Sequence, residues 1–396
     1  MDDSFDVETF VTEQTKKIKE ALGDKRALIA TSGGVDSTTC AALTYRAVGD
    51  NLICVLIDDN FRRVNEVDST LQMVSSMGLP VKLEDARQTF MESLMDLEDA
   101  EDKRKAFRET FYRTLSKVAR EEGCEHLVQG TIAADLIETR GGIKTQHNIL
   151  EQIGINPVER YGFRVIEPLV KLFKYQVREV ARYLDVPVAE KQPFPGPGLS
   201  IRVVGRVYPR KLDVLKGATV IAEEGLAEER ADQYLAAIFE DETVDAPAVP
   251  RIAASASELT GVSLDEVEVQ TLKSPATGVR EKERAYGRIA LLDLGMSEEA
   301  RRMTVPELVA IGERLIVENP DYTRLLVKVK GTAVEQGGFL VALRAIKTKD
   351  FLTASVAPVP WGLLTSVADR ILRECDGVSR VYYDVTPKPP ATVEFE

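Results

Sequence analysis

The sequence predicts an α/β protein, a doubly wound parallel sheet followed by an α+β domain. Three observations carry this. In the first half, short apolar runs such as residues 27–30 and 52–57 alternate with amphipathic stretches, the order that lays strands parallel with helices on both faces. A Gly-Gly turn joins the first of those runs to the helix after it. In the second half, strand-like runs recur among helices without that regular alternation. The 396 residues suffice for two or three domains, at roughly 100–200 residues each.

The elements follow in order. Residues 8–22 space Phe10, Val11, Ile18, Ala21 and Leu22 along one helical face. Residues 27–30 read as a buried strand, with a helix from about Ser37 after the turn. The run LICVLIDD is a second buried strand ending in carboxylates, VDSTLQMVSSMG a helix and LPVKLEDA a third strand. Two acidic helical stretches are expected, ESLMDLEDAEDKRKAFRETF and RTLSKVAREEG. EHLVQGT and GFRVIEPL are further strands, and YQVREVARYLD a helix. The segment KQPFPGPGL, with three prolines and two glycines in nine residues, fits neither a helix nor a central strand. It marks a boundary between a first domain, residues 1–195, and a second, residues 196–396. Within the second, SIRVVGRVY, LLVKVKG, GFLVALRAIK and VSRVYYDVT are strand patterns, and residues 241–331 read as an inserted segment.

Composition narrows the function. Lys plus Arg number 51 against 64 Asp plus Glu, a net charge of −13. That argues against a nucleic-acid partner but leaves room for a small anion held by a local cluster. The four cysteines (Cys40, Cys54, Cys124, Cys375) form no CxxC, and the histidines are His126 and His147 alone. A structural zinc site or a disulfide framework is not expected, and a reducing cytoplasm fits. The acidic start has no apolar signal region, and no stretch approaches the length of a membrane span.

The chemistry is carried by SGGVDS, Ser32 to Ser37, between a strand and a helix. The glycine pair lets backbone amides approach phosphate oxygens. With the positive helix end they form an anion nest. Ser32, Ser37 and Thr38 add hydroxyl donors. Asp36 sits oddly beside phosphates unless a divalent cation bridges them, so Mg²⁺ is implied. The loop is not a Walker A motif, since GxxxxGK[ST] is absent.

The string resembles the pyrophosphatase loop of the N-type ATP pyrophosphatases, which cleave ATP between the α and β phosphates and adenylylate a carbonyl oxygen. The strings QGT (Gln129–Thr131), DLIET, IKTQHN, EPLVKLFKYQVR, PFPGPGL, VALRAIKTKDFLTA and the closing KPPATVEFE together resemble the GMP synthetases. The resemblance covers residues 1 to about 240 and about 335 to 396. It implies an adenine nucleotide alpha hydrolase-like first domain, and a dimerisation and acceptor-binding second domain. It implies amination of XMP to GMP through an adenylylated intermediate, with ATP and Mg²⁺, and a homodimer. No amidotransferase domain precedes the first helix, so ammonia is expected from a separate glutamine amidotransferase subunit.

On this reading Ser32, Gly33, Gly34, Val35, Asp36, Ser37, Thr38, Gly130 and Thr131 bind ATP. Asp36 and Lys144 are the catalytic candidates, and Asp36 holds the metal. Arg344, Lys388 and Glu394 serve the acceptor nucleotide. Val341, Leu343, Ile346, Phe351 and Leu352 are the candidate self-association face. Several positions depart from the family pattern: Thr145 and Gln146 before His147, Asn60 after the second strand, Tyr175 and Gln176 after Phe173-Lys174, Arg206, and Arg280 to Glu283. They keep open a paralogue that adenylylates a different carbonyl or carboxylate, and a nucleotide-binding subunit without turnover.

Overall fold

A computed structural model describes residues 5–135, 154–187, 192–229, 231–281, 283–332, 338–348 and 352–396. The chain divides into two compact units. The first comprises Met1–Ser93 and Arg104–Lys191, the second Leu94–Lys103 and Gln192–Glu396.

The first unit is built on a five-stranded sheet, β1 (Arg26–Ala30), β2 (Leu52–Asp58), β3 (Val81–Asp85), β4 (Cys124–Val128) and β5 (Arg164–Ile166), in the order β3-β2-β1-β4-β5. Every neighbouring pair is parallel. Helices α1 (Val7–Leu22) and α2 (Val35–Val48) and the helix Lys174–Tyr183 supply Val11, Ile18, Cys40, Leu43, Val177 and Val180 to one core with Ala27, Ile29 and Cys54 of the strands. The alternate strand residues Leu28, Ile53 and Leu127 point the other way and are also buried, as a sheet covered on both faces requires. The chain winds outward from β1 to β3 and then returns to the other side of β1 with β4. The β1/β4 border is therefore a topological switch point, where open α/β sheets bind ligands beyond the strand ends.

The two acidic stretches resolve differently from the expectation. One helix covers Arg87–Leu94, and a second runs unbroken over Ala100–Glu122. The break lies at Asp96, whose φ is 60°. Asp99 then starts the long helix by accepting from the amides of Glu101 (2.9 Å) and Asp102 (3.0 Å). No glycine or proline interrupts residues 100–122, so nothing stops the helix between Phe111 and Arg113.

The second unit carries a nine-stranded mixed sheet. Its strands are β6 (Gln233–Glu240), β7 (Thr243–Val244), β8 (Glu268–Leu272), β9 (Ala276–Arg280), β10 (Glu283–Asp293), β11 (Tyr322–Gly331), β12 (Phe339–Lys347), β13 (Ser355–Val356) and β14 (Val378–Asp384). The closing residues are woven into it. Phe395 is fully buried, edge-on to Phe239 and beneath the Arg324 guanidinium. Val341, Leu343 and Ile346 are buried inside the chain's own core, so they offer no free apolar face. Leu352 is exposed, and Phe351 lies outside the described residues.

SIRVVGRVY is not a strand. Gly198–Ile201 is a 3₁₀ turn, and Val203 makes an isolated bridge to Ile238. Two buried lysines explain this. Lys103 donates to the Val203 carbonyl (2.8 Å), and Lys211 to those of Val204 (2.5 Å) and Arg206 (3.3 Å). Gly205 turns the chain with φ 76°. The carbonyls a ladder would use are taken. Each lysine is paired in turn, Lys103 with Glu396 (2.5 Å) and Lys211 with Glu240 (2.5 Å).

Burial brings the Lys211 ammonium down to about 8, against the pull of Glu240. Its folded pKa lies below the unfolded one, so above about pH 8 the unfolded chain binds more protons at this site. Stability from Lys211 is then expected to rise with pH between about 8 and 10. Denaturant midpoints measured across that range should show the rise in the native protein and lose it in Lys211→Met. An identical profile in both would refute the assignment.

Candidate active site

The loop Thr31–Gly34 leaves β1 and turns into α2. Gly33 has φ 74°, and behind it stands Thr70, so close that a Cβ on residue 33 would lie 2.6 Å from Thr70 Oγ1. Glycine is required there on both counts. Gly34 is the N-cap of α2 and has no side chain to satisfy the first amides, which leaves them for an anion together with the positive helix end. The serines close the loop on itself. The Ser32 and Ser37 hydroxyls are 3.1 Å apart, Ser32 N donates to Ser37 Oγ (3.3 Å), and Ser37 Oγ donates to the Gly34 carbonyl (3.2 Å). These contacts hold the amides in register before any ligand arrives.

From β4, Gly130 presses against the first turn of α2. A Cβ there would stand 3.0 Å from the Asp36 carbonyl and from Ser37 Cα. Thr131 follows, 1% exposed, and donates to Glu167 (2.6 Å) beyond β5. The ends of β1, β4 and β5 thus converge, and the structure brings Ser32 to Thr38, Gly130 and Thr131 together.

Sequence reasoning misses Lys174. Its ammonium meets Asp36 Oδ2 at 2.6 Å, from the first turn of the helix Lys174–Tyr183. The signal lies in the string EPLVKLFK, but a lysine before a helix does not say which carboxylate it will meet. The other carboxylate oxygen, Asp36 Oδ1, is buried with no hydrogen-bond partner among the described residues. One oxygen is thus neutralised by a lysine and the other lacks a partner, which fits a cation held jointly by Asp36 and substrate phosphates. Among the described residues no group of three or more His, Cys, Asp or Glu could hold a metal by itself.

Burial pushes the thiol of Cys40, in α2, far up, and that of Cys54 up to about 12.

Asn60 has φ 69°. Asparagine enters the left-handed region more readily than other side chains, so this departure keeps the backbone shape that glycine usually supplies. Arg280 and Glu283 pair across the hairpin of β9 and β10, with Glu281 at φ 50° in its turn. Lys144 and the neighbouring Thr145, Gln146 and His147 lie outside the described residues.

The acceptor candidates belong to the second unit. Arg344 is 1% exposed on β12; its Nη1 meets Asp384 Oδ2 (2.8 Å) and donates to the Thr386 carbonyl (2.8 Å). Its Nε and Nη2 are buried without a partner among the described residues. Arg324 shares Asp384, at 2.5 Å. Glu394 accepts the Arg202 fork at 2.8 and 2.9 Å and Gln233 at 3.1 Å. Lys388 exchanges backbone hydrogen bonds with Ala354 (2.8 and 3.0 Å).

Two family models match in chain order, the PP-loop domain over residues 7–191 and the GMP synthase C terminal domain over residues 325–395. The chain is 41% identical to a glutamine-hydrolyzing GMP synthase subunit of Sulfurisphaera tokodaii, over 99% of this chain and 100% of that one. The subunits of the same name from Saccharolobus solfataricus and Methanopyrus kandleri are 40% and 35% identical, again over 99% of this chain and the whole of each relative. With that identity along the full length of both chains, and both models present in order, the chain belongs to this family of GMP synthase subunits.

Proposed function

We propose that this protein aminates XMP to GMP with ATP, releasing AMP and pyrophosphate and using ammonia from a separate glutaminase subunit. The observation that carries the reading is the preformed loop at the sheet's switch point, with Lys174 on one oxygen of Asp36 and the other oxygen without a partner among the described residues. The xanthine C2 oxygen attacks the α-phosphorus of ATP, pyrophosphate leaves, and ammonia displaces AMP. The chain's part is to position and to neutralise. The amides at the start of α2 and the Ser32 and Ser37 hydroxyls receive the leaving phosphates. Lys174 offsets their charge. Asp36 would hold Mg²⁺, which when bound screens the phosphates and polarises the bond to the leaving group. Because the acceptor oxygen itself attacks the α-phosphorus, no covalent enzyme intermediate is needed.

In the second unit, Arg344 offers two donors unpartnered among the described residues, a match for a nucleotide phosphate. Lys388 and Glu394 sit in the tail string that resembles the family's acceptor site. Self-association through the second unit belongs to the same reading and rests on that resemblance, since Val341, Leu343 and Ile346 are consumed internally. A cytoplasmic location fits four buried free cysteines. No helix among the described residues is long and apolar enough to cross a membrane.

The deciding test is pyrophosphate release with ATP, Mg²⁺ and ammonium, with and without XMP. Release is expected to depend on XMP, and glutamine is expected to replace ammonium only when a glutaminase partner is added. Charge-assisted phosphate contacts are worth about 1.5–3 kcal/mol each, so Lys388→Ala is expected to lower kcat/KM for XMP roughly ten- to a hundredfold. Absence of XMP binding at millimolar concentration, with a non-cleavable ATP analogue present, would reject XMP as acceptor.

A further inference from the structure

We infer that Arg62 and Thr70 form the far wall of the phosphate cradle and bind the pyrophosphate that leaves, an inference that rests on the ATP pyrophosphatase reading above. A narrow cleft beside the loop is lined by Ser32, Leu56, Arg62, Glu66, Val67 and Thr70. Only Ser32 belongs to the loop.

Arg62 is held from behind. Asp59 is fully buried and accepts from the Phe61 amide (2.8 Å) and from Arg62 Nε (2.9 Å). A guanidinium fixed through Nε keeps its outer edge of two Nη groups, the edge that grips a phosphate through two parallel hydrogen bonds. The Arg62 side chain is 17% exposed, so it meets a ligand partly out of water, where such bonds are stronger.

Thr70 is the independent observation. It is 1% exposed, its Oγ1 has no hydrogen-bond partner among the described residues, and it stands directly behind Gly33. An unsatisfied buried hydroxyl is costly, and a phosphate oxygen in the cleft would satisfy it. Glu66 does not oppose this charge unscreened. Its carboxylate accepts from the Arg63 amide (3.1 Å) and faces the Arg63 guanidinium (3.7 Å).

The test is calorimetric titration of inorganic pyrophosphate with Mg²⁺, using AMP as the control ligand. Arg62→Met is expected to weaken pyrophosphate about tenfold or more and to leave AMP affinity unchanged, with Arg62→Lys recovering part of the loss. Thr70→Val, of nearly the same shape, is expected to weaken pyrophosphate about three- to tenfold. Arg62→Met leaves Asp59 buried without its cation, so the double variant Asp59→Asn with Arg62→Met is measured beside it and is expected to show the same selective loss. A merely structural Arg62 would lower the melting temperature and weaken both ligands alike, or neither; either result overturns the inference. If the unaltered protein itself binds no pyrophosphate, the underlying reading falls and the inference with it.

Discussion

Asparagine in place of Asp36 is expected to lower the rate of pyrophosphate release about a hundred- to a thousandfold, the range seen when one preorganised electrostatic group is removed from an active site. The amide keeps the shape and loses the charge. Lys174, now 2.6 Å from Asp36 Oδ2, loses its ion pair, and the proposed cation site loses the oxygen that has no other partner among the described residues. The fold should hardly notice. The Lys174 and Asp36 side chains are 46% and 28% exposed, and pairs of this kind contribute about 0–1 kcal/mol to stability. A pyrophosphate-release assay beside a thermal melt separates the two effects. Turnover within tenfold of the native rate would sink the role given to Asp36.

Alanine at Gly33 is expected to cost a factor of about a hundred or more in kcat/KM for ATP, since displacing a positioned group by about 1 Å costs that much. Two independent penalties act. At φ 74° an L-side chain costs about 1–2 kcal/mol. Its Cβ would also stand 2.6 Å from Thr70 Oγ1 and 3.0 Å from Thr70 Cγ2, so either the loop or α3 (Glu66–Ser76) must shift. Adding Thr70→Ala removes the clash but leaves the backbone cost, so the double variant is expected to recover part of the activity. The neighbouring glycine is the control. In Gly34→Ala the new Cβ would meet Ser32 Oγ at an ordinary 3.4 Å, and Gly34 has φ −76°. Its loss is expected to stay below about tenfold. Steady-state kinetics on the three variants checks the ranking. Equal losses at the two glycines would mean that the loop's own conformation does not set the site.

Much of the first unit was legible because its signals are local. The apolar runs 27–30 and 52–57 each became a buried strand, since a run too short for a helix and flanked by turn residues has few other ways to be buried. SGGVDS was readable as a candidate phosphate loop because its signal is local, a glycine pair between a strand and the start of a helix. The string KPPATVEFE was readable only as a resemblance, with no view of the burial that holds Phe395 and Glu396 in place.

What tertiary structure decided are the partners. Asp36 and Lys174 are 138 positions apart, and Arg344 and Asp384 meet across separate strands of one sheet. SIRVVGRVY has a strand's alternation, yet Lys103, about a hundred residues earlier, takes a carbonyl it would have paired. Gly33 and Gly34 are the same residue type in sequence, and it is the left-handed φ of the first together with α3 packed behind it that makes one of them irreplaceable. Propensity and periodicity are properties of neighbouring residues. Which carboxylate a lysine reaches, and which glycine has no room for a methyl group, depend on the order of the strands.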